Sequence, residues 1–365
     1  MLPLLFFIAG LAVVCSCSKN HEGEQGIVIH EASGIARIDD RLIIVGDDAD
    51  GRYYEMELNG HRWPIIPIDP HRVREVNMPH AELASDLESI DVLNDGRIAV
   101  LSEHLRCLIA KGNLSSDRYS VVAEYDKALT EFGNRGLEGL SVKRLVNGGS
   151  RIAVLWEGGY PLYRLVPFEL RNRVGRFPLR PVIVVHDIKK GETVALVDEP
   201  LQTLILNVPQ PSGKSPMAQR FRGSDLVWHR WVKNKNTDHF EEGFIVLLSS
   251  ENSPPIDGNV PKEYKQKILQ RFNLEGEPVG EPLDVNRSGK EAFEELDEEI
   301  FDTLSPRMAA HLKKIRSLFL EEDWEDINWE GLDWFEEGIS VITIYDKRIL
   351  DPPFALVVKL PDSWK

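Results

Sequence analysis

The sequence predicts an all-β protein, a closed β-propeller of five four-stranded blades with one helical insertion. Predicted strands separated by turn residues dominate the chain. A phrase of the type Leu-Glu-Gly-Leu returns five times, and each copy precedes an apolar run that ends in an acid. Repeats of roughly 50 residues with several strands each are typical of propellers. The phrase begins at Ala32, Leu87, Leu137, Gly223 and Trp329.

The first two repeats show their strands plainly. Four strands are predicted in the first, at 35–38, 42–45, 53–58 and 63–68, and turns separate them at Asp39-Asp40 and Asn59-Gly60. The second begins at Glu88 and continues with strands at 98–101, 106–110 and 119–125. Its first hairpin is expected at Asn94-Asp95-Gly96, a strong turn sequence.

The later repeats are less regular. The third is expected to take its outer strands from 163–166, 182–186 and 193–197, and a degenerate sixth blade between residues 193 and 209 stays open. The fourth and fifth contain apolar runs at 244–248, 267–273, 339–344 and 354–360. The fifth lacks an evident fourth strand. We expect residues 26–30 to supply it, because joining both termini in one blade protects sheet edges.

Two insertions interrupt the repeats. Residues 286–325 are rich in Glu, Leu and Lys and predict two helices, at 289–302 and 306–320. Ser305-Pro306 is typical of an N-cap followed by proline in the first helical position. The other insertion, at 161–181, is rich in arginine, and Arg164 is its first member.

The first residues predict a targeting segment. Residues 2–14 are apolar and uncharged, and they are too few for a membrane span, which needs about 20 residues. The segment ends in Cys15-Ser16-Cys17, and a small residue before a cysteine resembles the bacterial lipobox. We therefore expect residues 1–17 to be a signal peptide with Cys17 as the lipidated residue, 18–26 a tether and 27–365 the propeller. A cleaved secretory signal with an incidental cysteine pair is the alternative.

The charge of the chain restricts the classes of partner. The formal net charge is −16, so a nucleic-acid partner is not expected, because phosphate binding needs a basic face. We expect a monomer that meets the membrane only through its lipid anchor, on the periplasmic side of the bacterial outer membrane, or a secreted protein. A small anionic ligand or an envelope protein is the expected partner.

The acids of the repeats are expected to meet at one end of the central channel. The innermost strand of a blade and its neighbour are antiparallel, so the start of the first lies beside the end of the second. Clustered carboxylates repel one another unless their pKa values rise or a cation binds, and oxygen ligands suit Ca²⁺ or Mg²⁺. The expected metal ligands are Asp47, Glu88, Glu103, Glu138, Glu157, Glu251, Glu330 and Asp346.

A structural role for each of these acids is an equal alternative, because acids at strand ends also accept hydrogen bonds from neighbouring blades. The candidates for holding an anionic substrate are Arg135, Arg164 and Arg222, since guanidinium groups bind carboxylate and phosphate bidentately. Ser33 and Ser224 replace Glu in two repeats, and no activating His is identified for either.

Three longer phrases carry a family resemblance: Asp86-Leu-Glu-Ser-Ile-Asp91, Gly136-Leu-Glu-Gly-Leu-Ser141 and Asn328-Trp-Glu-Gly-Leu-Asp333. They resemble the phytase-like esterase (esterase-like activity of phytase) propellers and the related SdiA-regulated lipoprotein propellers, over residues 27–365 without the helical insertion. The resemblance implies an envelope or secreted propeller, often with calcium and often described as an ester or phosphoester hydrolase.

Two functions are therefore predicted. In the first, the chain is a metal-dependent hydrolase of an anionic ester, with Glu138 and Glu330 as ligands or catalytic base. In the second, it is a non-catalytic propeller that binds a ligand or a protein through the same face. Fold alone does not decide between them.

Overall fold

The computed structural model describes the propeller in segments. They are residues 26–27, 29–47, 49–60, 64–80, 84–111, 118–125, 136–158, 180–190, 192, 197, 200–208, 221–234, 239–250, 266–321, 328–346 and 353–365. The predicted signal peptide, with Cys17 as its predicted lipidation site, and most of the predicted tether lie outside them, as do the predicted strand at 163–166 and most of that at 193–197. Within the described segments no helix is long and apolar enough to cross a membrane.

Twenty strands of the described segments form five antiparallel sheets of four. The innermost strands are β1 (Ala32–Ile38), β6 (Leu87–Val92), β10 (Leu137–Arg144), β14 (Phe221–Asn234) and β18 (Asn328–Glu336). The second strands are β2 (Arg41–Gly46), β7 (Ile98–Ser102), β11 (Ser150–Trp156), β15 (His239–Ser250) and β19 (Ser340–Asp346). The third strands are β3 (Arg52–Glu57), β8 (Cys107–Lys111), β12 (Val182–Ile188), β16 (Lys267–Asn273) and β20 (Phe354–Lys359). The outermost are β5 (Val73–Asn77), β9 (Tyr119–Glu124), β13 (Gln202–Ile205), β17 (Pro278–Asp284) and β4 (Ile65–Pro67).

The five sheets close into a ring, which confirms the predicted five-bladed propeller. Each innermost strand packs against the innermost strand of the next blade, and β18 packs against β1. The expected alternative of a sixth blade is wrong. The chain after Thr193 instead contributes β13, which pairs with β12 through Val182 and Ile205 as the outermost strand of the third blade.

The ring closes differently from the prediction. Strand β4, expected as the fourth strand of the first blade, pairs with β20 of the fifth blade, so that Pro67 lies opposite Phe354 and Ile65 opposite Leu356. Strand β5 completes the first blade. Residues 26–30 therefore do not supply the missing strand, although Ile27 donates its N–H to Pro70 O at 2.8 Å. A proline fits an outermost strand because one side of that strand needs no N–H donors.

The helical insertion packs beside the fourth and fifth blades. Its described part, up to residue 321, forms three helices: α1 (Val285–Glu294), α2 (Glu299–Thr303) and α3 (Pro306–Leu320). The helix predicted at 289–302 is thus two helices, whereas α3 begins as predicted, with the Ser305 hydroxyl accepting from Met308 N at 3.3 Å. Buried aromatic rings of α1 and α3 pack with Trp329 and Phe354 of the fifth blade, which attaches the insertion to the outside of the ring.

Candidate functional site

An irregularity in every innermost strand orients the Glu or Ser of the repeated phrase. The pairing register shifts at Ser33, Glu88, Glu138 and Ser224, so each of these residues is the extra residue of a β-bulge. In the fifth blade the extra residue is Gly331, whose φ of 53° lies in the left-handed region. A bulge leaves one residue unpaired and changes the direction of its side chain. Each copy of the repeated phrase therefore forms a β-bulge in the innermost strand of its blade.

The acids that follow the second strands are held at the same end by their backbones. Immediately after β2, β7 and β11, each acid donates its N–H to the carbonyl oxygen that precedes the innermost strand of its own blade. The N···O distance is 3.0 Å for Asp47, 2.9 Å for Glu103 and 3.1 Å for Glu157. The Glu157 carbonyl oxygen in turn accepts from Gly223 N of the next blade at 3.0 Å. The two sets of acids therefore meet at one mouth of the channel, here called the acidic mouth.

Three carboxylates of the described residues cluster between the first two blades. One oxygen each of Asp47, Asp86 and Glu88 lies within 4.8 Å of the others. Glu103 is close by, because its backbone N–H donates to Asp86 O at 2.9 Å. Glu88 and Glu103 are each only 8% exposed. Buried carboxylates this close cannot all ionise without a compensating positive charge.

The pKa values at the acidic mouth reflect this crowding. Burial raises the pKa of Glu88 well above its ordinary range, and the charges of Glu138 and Asp47 add to the shift. Burial likewise raises the pKa of Glu138, with Glu157 adding to it and the Arg222 guanidinium opposing it. Burial and the neighbouring Asp86 raise the pKa of Glu103 to about 8. Near neutral pH the cluster therefore retains protons that a bound cation would displace.

The fourth blade presents positive charge to the same mouth. Arg222 forms ion pairs with Glu157 at 3.1 Å and with Glu330 at 3.7 Å. The buried ammonium of Lys267 donates to the Ser249 hydroxyl at 2.6 Å, and that hydroxyl lies 2.9 Å from the one of Ser224. In the fourth blade, where Ser224 replaces the Glu of the phrase, a buried lysine is therefore linked to that serine through Ser249. The acidic mouth thus has an anionic side on the first three blades, whereas the fourth blade contributes positive charge beside Glu330 of the fifth blade.

The structure brings together six of the eight acids predicted as metal ligands: Asp47, Glu88, Glu103, Glu138, Glu157 and Glu330. Asp346 is described by its backbone alone, which pairs with Asn328 at the start of β18. Glu251, Arg135 and Arg164 lie outside the described residues. Of the three predicted arginines, Arg222 is therefore the one placed at the acidic mouth.

The sequence reasoning missed Asp86, although it belongs to one of the repeated phrases. Its φ is 56°, which is uncommon for a residue other than glycine and turns the chain immediately before β6. This turn places its carboxylate beside those of Asp47 and Glu88. Its position two residues before Glu88 in the repeated phrase could have indicated this role from the sequence.

Asp225 is a second functional candidate that was missed, and it lies inside the channel. Its carboxylate accepts backbone N–H groups from Leu226 at 2.8 Å, Leu140 at 3.1 Å and Leu332 at 2.6 Å, which belong to three different blades. The Ser89 hydroxyl, which belongs to the second blade, lies 3.3 Å from each oxygen of the Asp225 carboxylate. The side chain is fully buried, and burial raises the pKa of its carboxyl well above the ordinary range. Asp225 thus fills the channel below the acidic mouth.

Small residues make room for that carboxylate. A Cβ atom added to Gly139 would lie 2.7 Å from Asp225 Oδ1, and one added to Gly34 would lie 2.6 Å from Ser89 Cα. The innermost strands therefore approach one another too closely at this level for larger side chains. The glycines of the phrase keep the channel narrow there.

The donor set of the acidic mouth fits a hard cation. It consists of carboxylate oxygens, the ligands that Ca²⁺ and Mg²⁺ prefer, with no thiolate or imidazole among the described members of the cluster. Glu103 Oε1 is buried and accepts no hydrogen bond from any described residue. A buried acceptor without a donor is costly in a folded protein, and a cation would satisfy it.

No family model and no curated protein matches the chain. Among solved structures it is similar to an endo-arabinase from Bacteroides thetaiotaomicron, at 8% identity and a TM-score of 0.43, covering 93% of this chain and 98% of the other. A calcium-binding regucalcin from Agrobacterium tumefaciens matches at 8% identity and a TM-score of 0.34, covering 92% of both chains. A gluconolactonase from Xanthomonas campestris matches at 10% identity and a TM-score of 0.34, covering 92% of this chain and 88% of the other. At these values no function is transferred, and the resemblance to phytase-like and SdiA-regulated propellers stays a prediction.

Proposed function

We propose that the acidic mouth binds Ca²⁺ or Mg²⁺ and that the protein hydrolyses an anionic ester, such as a phosphomonoester, beside the bound ion. The observation that carries this proposal is the group of Asp47, Asp86 and Glu88 oxygens within 4.8 Å of one another. The raised pKa values of Glu88 and Glu103 support it, because they reflect burial and, in addition, repulsion among carboxylates, and a divalent cation would offset both.

Different residues of the acidic mouth would bind the metal ion and the substrate. Asp47, Asp86, Glu88 and Glu103 would hold the ion, which would polarise an ester or phosphoryl oxygen and offset its developing negative charge. Arg222 is 31% exposed on its side chain and would bind an anionic group of the substrate on the opposite side of the mouth.

A carboxylate near Arg222 completes the arrangement. Glu330, whose side chain is 12% exposed, also accepts from Asn328 Nδ2 at 2.5 Å. In this position it would accept a proton from the attacking water, while the more deeply placed Glu138 would orient its neighbours or contribute a ligand. Both roles agree with the catalytic assignment made from the sequence.

Calcium binding tests the first half of the proposal. Calorimetric titration of the metal-depleted protein with CaCl₂ is expected to show one site whose affinity falls at least tenfold in Glu88→Gln. Tenfold corresponds to about 1.4 kcal/mol, a modest estimate for the loss of one carboxylate ligand. Glu337→Gln, an exposed acid at the other end of the channel, is the matched control and should bind like the unaltered protein. Equal affinity in all three proteins would rule out the acidic mouth as the metal site.

Hydrolysis tests the second half. The protein is assayed on phosphomonoesters and on carboxylic esters with Ca²⁺, with Mg²⁺ and with EDTA. Turnover is expected with one of the ions and is expected to fall at least a hundredfold in Glu330→Gln, the typical contribution of a positioned general base. Calcium binding without turnover on any substrate would leave the non-catalytic, ligand-binding propeller as the function.

Envelope anchoring is proposed from the sequence alone. The lipobox-like residues before Cys17 support acylation of that cysteine and attachment to the bacterial outer membrane on its periplasmic side. Metabolic labelling with a radioactive fatty acid in a bacterial host is expected to mark the protein and to fail for Cys17→Ala. Equal labelling of both forms would contradict acylation at Cys17.

A further inference from the structure

A cavity of about 570 Å³ opens at the end of the channel opposite to the acidic mouth. All five innermost strands contribute to it with residues from their later halves. Volumes of this size are typical of small-molecule sites. Asp225 and the small residues around it fill the channel between the two ends, so the cavity is a separate compartment.

Two carboxylates hold fixed positions in this cavity. Asp91 Oδ2 accepts from Val142 N at 2.6 Å, and Asp333 Oδ2 accepts from Arg37 N at 2.6 Å, so each links its own blade to the next. A carboxylate oxygen has two lone pairs and can accept a second donor. The interblade bonds therefore position both groups without exhausting their capacity to bind a ligand.

Two tryptophan side chains form part of the wall of the same cavity. Trp228 and Trp334 both line it, and Trp334 Nε1 donates to Trp228 O at 2.9 Å. The Trp228 ring packs on the buried Phe244 with centroids 4.3 Å apart, and the Lys143 ammonium lies 5.4 Å from the centre of the same ring. The indoles are thus held in place before any ligand arrives, which lowers the entropy that binding would cost.

The charges around the cavity nearly balance. Four basic side chains, Arg37, Lys143, Arg144 and Arg230, and five acidic ones line it. Lys143 is already paired with Glu242 at 2.5 Å. An anion entering the cavity would meet the carboxylates of Asp91 and Asp333, and a cation would meet the guanidinium groups. A neutral ligand that both donates and accepts hydrogen bonds suits such a mixture.

We propose that this cavity binds a neutral oligosaccharide. Sugar hydroxyls donate to the Asp91 and Asp333 carboxylates and accept from Arg144, while the apolar face of a ring packs against an indole. Arg144 is exposed and lines the cavity beside Asp91, where its positive charge acts on that carboxylate, so its guanidinium faces the space that a ligand would enter. The proposal does not depend on metal binding or hydrolysis at the acidic mouth.

The test is binding of a panel of labelled neutral oligosaccharides derived from glucans, xylans, arabinans and galactans. Binding at millimolar concentration or tighter is expected for at least one of them, together with a change in tryptophan fluorescence. Arg144→Ala is expected to weaken binding at least tenfold. Arg287→Ala, which alters an exposed arginine of α1, is the matched control and should bind unchanged.

The same titration is repeated with EDTA and in Glu88→Gln, where binding is expected to persist. If the hydrolase proposal fails, this result still stands, and the reverse also holds. Absence of binding to every member of the panel would overturn the proposal. So would binding of only phosphorylated or carboxylated sugars, or binding that is lost in Glu88→Gln but kept in the Arg144 variant.

Discussion

At the scale of single residues, one buried carboxylate connects most of the ring. Asp225 is the acceptor for backbone N–H groups of three blades, and such groups are costly to leave without a partner in a buried place. Burying a carboxylate is itself unfavourable, as its raised pKa shows. This cost is offset because the carboxylate accepts hydrogen bonds from three backbone N–H groups, which no apolar side chain could do.

Asp225→Ala is expected to lower the free energy of unfolding by about 3 kcal/mol or more, since three buried donors each lose an acceptor at about 1–3 kcal/mol apiece and part is regained by removing a buried acid. Asp225→Asn, which keeps one acceptor oxygen, is expected to lose less. Urea unfolding followed by tryptophan fluorescence measures both. Asp302→Ala, at an exposed acid of α2, is the control and should change stability by less than about 0.5 kcal/mol. Asp225→Ala as stable as the control would contradict this role.

At the scale of elements, the short strand β4 determines how the ring closes. It leaves the first blade between β3 and β5 and supplies the outermost strand of the fifth blade. Ile66 of β4 is 1% exposed and pairs with Ala355. A strand of three residues therefore ties the last blade to the first.

Ile66→Ala is expected to lower the free energy of unfolding by about 2–5 kcal/mol, the usual range for deleting a buried isoleucine side chain. Ile205→Ala is the matched control, because it also lies on an outermost strand but is 53% exposed. Chemical denaturation of the two variants is compared with that of the unaltered protein. Equal losses in the two variants would show that β4 does not secure the ring.

The innermost strands could be predicted from the sequence, and the outer ones only in part. The repeated phrase marks the innermost strands because a bulge, a small residue and an acid are required there in most blades. Strand β4 could not be assigned to the fifth blade, since its residues fit either blade and the choice depends on contacts between distant parts of the chain. Asp225 was hidden for the same reason: its partners Leu140 and Leu332 lie far away in sequence.

At the scale of the whole molecule, the two ends of the channel differ in charge. The acidic mouth gathers buried carboxylates against Arg222, whereas the cavity at the other end has nearly balanced charge. The net charge of −16 is therefore concentrated in part where a cation would be bound. Because the raised pKa values belong to the folded state, the stability of the whole propeller is coupled to pH, and the proposed metal binding would couple it to calcium as well.

The last prediction concerns that coupling. The pKa of Glu103 rises from 4.5 to about 8 on folding, and those of Glu88 and Glu138 also rise. Between pH 4.5 and about 8, the folded protein holds protons on Glu103 that the unfolded chain releases. The free energy of unfolding of the metal-free protein therefore falls as the pH rises. Melting temperatures measured in EDTA are expected to decrease from pH about 5 to pH about 8.

Calcium should reverse the trend if it binds at the acidic mouth as proposed, because the ion would bind the ionised carboxylates of the folded state and compete with protons. At about a hundred times the Kd that holds at pH about 8, calcium would add about 2.7 kcal/mol to stability, and the same calcium concentration should add less at pH about 5, where protons compete. Glu88→Gln combined with Glu103→Gln should flatten the pH dependence in EDTA and abolish the calcium effect. Melting temperatures that do not vary with pH in EDTA, or that rise equally with calcium in the double variant, would show that the acidic mouth is neither the source of the coupling nor the metal site.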